Sequence, residues 1–332
     1  MSTGRLRLSL LDLAIVARGE PIGQALRNSI ELAQVADRLA RFERVWFAEH
    51  HNMPTIASAA TSVLVGQVLA ATGRIRVGSG GVMLPNHAPL VVAEQFGTLA
   101  ELYPDRVDLG VGRAPGTDQV TLGALRRDQG ASEDFPQDIR ELQGYLGEGG
   151  GLGVNAYPGL GTRVPVWILG SSLFGARLAA AFGLPYAFAS HFAPDALDAA
   201  MQVYRAEFRP SEQLQAPYAV AALNVVAADT QDEADVAADK VLRARVRALA
   251  SRAPQLKGQE IDDALLDVLM ETPLGAQAAH MVTYSAVGDA DAVGMYLHAF
   301  RERTGADELM VTNPAGSLQT RVRTLEILAT ID

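Results

Sequence analysis

Val45-Trp46-Phe47-Ala48-Glu49-His50-His51 is an apolar strand closed by three titratable residues. Burying such groups is costly unless they find partners or open onto a pocket that uses them. Strand alternation places Trp46, Ala48 and His50 on one face and Phe47, Glu49 and His51 on the other. His50 shares its parity with Trp46 and is the residue expected to point inward.

The pattern on either side of this strand repeats. Residues 6–11 alternate as a first strand, and Pro21 opens a helix with apolar positions at Ile22, Ala25, Leu26, Ile30, Ala33 and Ala36. After the second strand come a helix over 58–73, a strand over 75–79, a helix over 89–102 and a strand over 107–112. Residues 114–162 interrupt the rhythm with a short helix near 136–146 and a glycine-rich run, read as a flexible excursion. Strands at 164–169, 186–189, 219–227 and 308–312 follow, each with a helix, and residues 250–285 form a second insertion containing one or two helices. Eight strands interleaved with helices predict an α/β fold: a single (β/α)8 TIM barrel over residues 1–332 with insertions after strand 4 and between strands 7 and 8. In such a barrel the catalytic residues come from the C-terminal ends of the strands, and Glu49-His50-His51 ends one of them.

Composition narrows the function. The formal net charge is −10, and Lys240 and Lys257 are the only lysines, so neither a nucleic-acid backbone nor an anionic membrane is an expected partner. The absence of cysteine excludes disulfides, thiolate metal sites and cysteine nucleophiles, and fits a cytoplasmic location. The N-terminus carries no apolar signal region, and no uncharged apolar stretch reaches the ~18 residues a membrane span needs. The first strand lacks the His-x-His of barrel metallohydrolases, so no metal is expected.

Three strand ends carry further candidates. Gly78-Ser79-Gly80-Gly81 implies a bent or closely approached backbone, suited to a flat ligand lying on main chain; a strained or cis peptide is easiest to accommodate between Gly80 and Gly81. Gly110-Val111-Gly112-Arg113-Ala114-Pro115-Gly116 has the wrong spacing for a dinucleotide loop and instead delivers Arg113, a fixed cation, to the rim. Gly170-Ser171-Ser172 precedes a helix, where free amides and two hydroxyls suit an anion or serve as an ordinary cap. Arg113 on the neighbouring strand favours the anion, since both elements would bracket one phosphate.

Taken in order, these segments resemble the bacterial luciferase-like family of flavin-dependent monooxygenases. The similarity runs through 46–51, Arg76 to Pro89, Leu99 to Arg113, Leu169 to Ser172, Val287-Gly288-Asp289 and Ala306 to Met310. The resemblance implies FMN at the barrel mouth, with Ser79, Gly80 and Gly81 against the ring and Arg113, Gly170, Ser171 and Ser172 at the phosphate. It implies a catalytic group at His50, flanked by Glu49 and His51. Gly112 stands where light-emitting members carry a reactive cysteine, so light emission is not expected. Arg126 or Arg127 is a candidate second phosphate contact.

The expected activity is oxygenation of a small, apolar organic substrate with O2 and reduced FMN. With no dinucleotide fingerprint, the reduced flavin would come from a separate reductase. A deazaflavin-dependent oxidoreductase and a non-catalytic flavin-binding protein are the alternatives. The helix at 58–73 is apolar nearly all round, which predicts a homodimer.

Overall fold

The computed structural model describes residues 5–114, 118–148, 153–256 and 258–332. Pro115, Gly116, the glycines at 149–151 and Lys257, all named above, lie outside them. The chain begins β1 (Leu8–Asp12), α1 (Ile22–Leu39), β2 (Phe42–Phe47), α2 (Thr61–Ala71), β3 (Arg76–Met83), α3 (Pro89–Leu102) and β4 (Val107–Gly112). The first excursion carries α4 (Gln119–Ala124) and α5 (Phe135–Leu146). Then come β5 (Val166–Gly170), α6 (Leu173–Phe182), β6 (Tyr186–Phe188), α7 (Leu197–Glu207) and β7 (Ala219–Ala227). After β7 come α8 (Gln231–Ala250), then α9 (Asp263–Met270) and α10 (Pro273–Met281) in the second insertion, then β8 (Ser285–Gly288), α11 (Ala290–Thr304), β9 (Glu308–Thr312) and α12 (Leu318–Thr330).

Parallel strands joined by helical crossovers are covered on both faces, and β7 is accordingly buried along its whole length. Strands β1 to β7 pair in sequence order, β9 sits between β7 and β1, and a β6–β7 pairing closes the ring. This is the (β/α)8 barrel that the alternating pattern predicts. One strand was not foreseen. β8, which begins at the last residue of the 250–285 insertion and runs past it, pairs with β7 outside the ring. Its place follows from length: β7 pairs with β9 only as far as Asn224↔Thr312, and its last residues, to Ala227, overhang and present an edge that β8 covers.

The barrel interior holds Leu11, Trp46, Ala48, Trp167, Ala187, Val220, Ala222 and Met310. The outward-facing residues of the strands, Val45 and Phe47 among them, pack under the helices in a much larger core. Below Trp46 the interior becomes ionic. Arg44 reaches Asp108 at 2.8 Å and Glu308 at 3.0 Å, Arg76 also binds Asp108, and Tyr218 donates to Glu308 at 2.7 Å. Burial opposes ionisation of Asp108, but Arg44 and Arg76 overcome it and hold its carboxyl below the ordinary range. This network fills the N-terminal end of the barrel and leaves the other end open.

The glycine run after α5 is not simply slack chain. A Cβ on Gly97 of α3 would collide with the backbone of Gly159, so helix and loop touch main chain to main chain. α5 buries Phe135, Ile139 and Leu142 and contributes Phe135 to the wall of the cavity described next. Among the described residues, no helix is long and apolar enough to cross a membrane.

Candidate active site

A cavity of about 1670 Å³ opens at the C-terminal end of the barrel strands. Its floor is the end of β3. Gly81 is an extra residue in β3 relative to β4: Gly80 pairs with Gly110 and Val82 with Val111. The Gly80–Gly81 peptide is cis, as the glycine pair suggested. Neither position has room for a side chain. A Cβ on Gly81 would lie 2.8 Å from the Gly110 carbonyl oxygen, and one on Gly80 would lie 2.8 Å from Leu11 Cδ1 and Trp46 Cβ. Both glycines line the cavity. Ser79 is fully buried and its hydroxyl donates to the Gly110 carbonyl at 2.7 Å, so it ties β3 to β4 beneath the floor.

Gly170, Ser171, Ser172 and Arg113 line the same cavity. Ser172 is the N-cap of α6 in extended conformation, yet its side chain makes no capping hydrogen bond. The first amides of α6 and both hydroxyls are therefore available to an anion. The Arg113 guanidinium lies 4.2 Å from the ring centroid of Phe174, in the first turn of α6. That contact holds the cation that follows β4 against the first turn of α6. Arg127 acts on Asp138 instead, and neither Arg126 nor Arg127 is among the residues lining the cavity.

β2 ends at Phe47, so Glu49, His50 and His51 follow the strand rather than close it, but their side chains still separate in alternation. His50 faces the large cavity, with its backbone N–H on the Ser58 carbonyl at 3.1 Å and its Nδ1 buried without a partner. Burial, assisted by Arg252, lowers its pKa, against the opposing pull of Glu49. His50 is thus a neutral imidazole near pH 7, able to accept or relay a proton. Glu49 and His51 turn to a neighbouring cavity of about 360 Å³ and meet His87 there. One carboxylate oxygen of Glu49 takes His51 Nε2 at 2.7 Å and His87 Nε2 at 2.8 Å; the other accepts the Met83 amide at 3.1 Å. The three side chains offer donor atoms within 4.8 Å of one another, and hydrogen bonds already engage each of them. Glu49 clamps the end of β3 to the end of β2 and is the link between the floor and His50.

Sequence reasoning missed two residues in the large cavity. His191 follows β6, and burial, together with Arg245 and His50, lowers its pKa to about 3. His191 stands three residues past β6, as His50 stands three past β2; the same signal would have found it, but β6 is only Tyr186–Phe188 and gives too short a pattern to mark its end. Arg245 lies in mid-helix α8, where a cation normally reads as solvent-facing; only the folding of α8 over the mouth turns it inward. His87 lies within the family-like segment Arg76 to Pro89, but nothing in its spacing links it to Glu49.

Residues 8–308 match the profile of the luciferase-like monooxygenase family. The chain belongs to that family. A luciferase-like monooxygenase of Escherichia coli (strain K12) is 44% identical over 98% of this chain and 97% of its own length. An N-acetyl-S-alkylcysteine monooxygenase of Bacillus subtilis (strain 168) is 34% identical over 69% of this chain and 70% of its own. The crystal structure of apo-MsnO8 superposes with a TM-score of 0.85 at 35% identity, covering 98% of each chain. As a luciferase-like monooxygenase the protein is a flavin-dependent enzyme, and the side-chain-free floor and uncapped helix end fit a flat ring bearing an anionic tail.

Proposed function

We propose that this luciferase-like monooxygenase binds reduced FMN, supplied by a separate flavin reductase, and uses O2 to oxygenate a small organic substrate. One observation carries the choice. The Gly80–Gly81 floor and the Arg113–Ser171–Ser172 anion site line a single cavity, so one planar ligand with a phosphate tail reaches both. When bound, the flavin supplies the activation of O2; the protein supplies position, electrostatics and exclusion of water. Gly80 and Gly81 let the ring rest on main chain. Arg113 and the amides at the start of α6 hold the phosphate. Leu11, Trp46, Met83, Phe188 and Met310 form a dry wall, which lowers the chance of unproductive loss of oxygen. His50, neutral and facing the cavity, holds or moves a proton at its ring nitrogen. Glu49, with His51 and His87, fixes the backbone from which His50 and the floor project. The insertion carrying α9 and α10 covers part of the mouth through Ile261 and Met281 and serves as a lid.

The assignment is tested by titrating the protein with FMN and with a deazaflavin, then measuring oxygen uptake with reduced FMN from an added reductase. FMN preference together with substrate-dependent oxygen uptake is the expected result. Deazaflavin preference points to hydride transfer, and binding without turnover to a flavin carrier; either outcome refutes the assignment. A homodimer is part of the same reading. α2 leaves Val63 65% exposed, and Val91 on α3 is 45% exposed, an apolar surface suited to a second copy.

A further inference from the structure

Three arginines of α8 stand two residues apart and meet different fates. Arg243 pairs with Asp267 at 2.7 Å and Arg247 with Asp263 at 2.8 Å, both partners on α9. Arg245 lies between them, half-buried and lining the large cavity. Among the described residues no carboxylate pairs with it, and burial alone acts on it, lowering its pKa. A guanidinium stays charged even so, and a charge withdrawn from water without a partner is costly. Its neighbours are informative. Arg245 acts on His191, which in turn feels His50; the phosphate site at the ends of β4 and β5 is elsewhere on the rim. His191 presents a buried Nδ1 with no partner beside it. The same cavity also presents apolar wall from Met83, Phe188 and Met310.

We propose that Arg245 is a specificity-determining residue that binds a carboxylate on the substrate, with His191 as a second donor and the apolar wall holding the rest of the molecule. This rests on the flavin-dependent reading above and refines its substrate to an organic anion with an apolar body. A planar guanidinium meets a carboxylate with two parallel N–H donors, a geometry that neither an amide nor an alcohol reproduces. Binding of such a head at Arg245 leaves the apolar body to extend toward the floor and His50.

The probes are octanoate and its uncharged analogue octanamide. Trp46 lines the cavity and Trp167 packs on it at 5.1 Å, so intrinsic fluorescence reports binding in the FMN-loaded and flavin-free protein. Wild type is expected to bind octanoate at least about 10-fold tighter than octanamide, the discrimination of one charge-assisted contact. Arg245→Leu should abolish that preference, Arg245→Lys should retain part of it, and FMN affinity should not change in either. Circular dichroism identifies a variant that has failed to fold, in which case Arg245→Lys and Arg245→Gln carry the comparison. Equal binding of the two probes, no measurable binding of either, or a preference that survives in the folded variants overturns the proposal. So does a loss of FMN affinity in Arg245→Leu with riboflavin affinity unchanged, which would make Arg245 a phosphate contact. Failure of wild type to bind FMN while the octanoate preference persists would instead refute the flavin reading and leave the anion site standing.

Discussion

His51 Nε2 meets Glu49 Oε1 at 2.7 Å, and this bond separates the two adjacent histidines into different roles. His51 is committed to the clamp with His87, while His50 is left facing the cavity with an unpartnered Nδ1. A run of three titratable residues thus leaves one imidazole facing the cavity and commits two side chains to position.

Replacing His50 with Ala removes the cavity-facing imidazole and leaves the floor and the anion site in place. FMN affinity should change little, while oxygenation falls by about 10²- to 10⁴-fold, the usual contribution of a positioned acid–base group. Flavin fluorescence quenching and oxygen uptake measure the two separately. Undiminished uptake would remove His50 from the mechanism.

Replacing Glu49 with Ala leaves two imidazoles and the Met83 amide without their acceptor, at about 1–3 kcal/mol for the buried groups. The more telling readout is pH. Glu49 raises the His50 pKa against burial and Arg252, so its removal should move the acid limb of the activity profile to lower pH. A lower Tm with an unmoved profile would limit Glu49 to a structural role.

Arg113→Leu should weaken FMN binding by about 10- to 100-fold, the ~1.5–3 kcal/mol of a hydrogen bond to a charged group. Riboflavin has no phosphate and should bind both proteins equally. Parallel titrations with the two flavins check this, and equal losses for both would place Arg113 away from the phosphate.

At the closed end of the barrel, Arg44→Met leaves Asp108 and Glu308 facing each other with less compensation. Breaking a buried pair in this way costs about 3–5 kcal/mol. Urea unfolding should show that loss, while the FMN affinity of the folded fraction stays close to wild type.

His191 predicts an acid-sensitive fold. Its folded pKa is depressed to about 3, whereas the unfolded side chain titrates near 6.5. Below about pH 6.5 the unfolded chain takes up a proton that the native site refuses, so stability falls by up to ~1.4 kcal/mol per pH unit as pH drops toward 3. Arg245 and His50 contribute to the depression. His191→Gln should flatten this slope in denaturation midpoints measured from pH 7 to pH 4; an unchanged slope would show that His191 is not its source.

Much of the molecule was legible in the chain itself. Alternation along β2 assigned Trp46 and His50 to the inside, because successive side chains on a strand must point opposite ways. The glycine pair announced the floor, because only glycine tolerates backbone packing as close as that of Gly81 on Gly110. The strand–helix rhythm fixed the barrel, since parallel neighbours need a crossover between them. Local pattern did not disclose contacts between residues far apart in the chain. The clamp joining Glu49 to His87 spans 38 residues, and Arg44 reaches across 264 to Glu308. β8 exists because β7 outlasts β9, a comparison no single segment contains. Arg245 reads as one of three alike arginines on a polar helix until α9 supplies carboxylates to its two neighbours and not to it. Short-range periodicity dictated which elements form and which faces they bury; tertiary packing alone decided which of the α8 arginines found carboxylates and which did not.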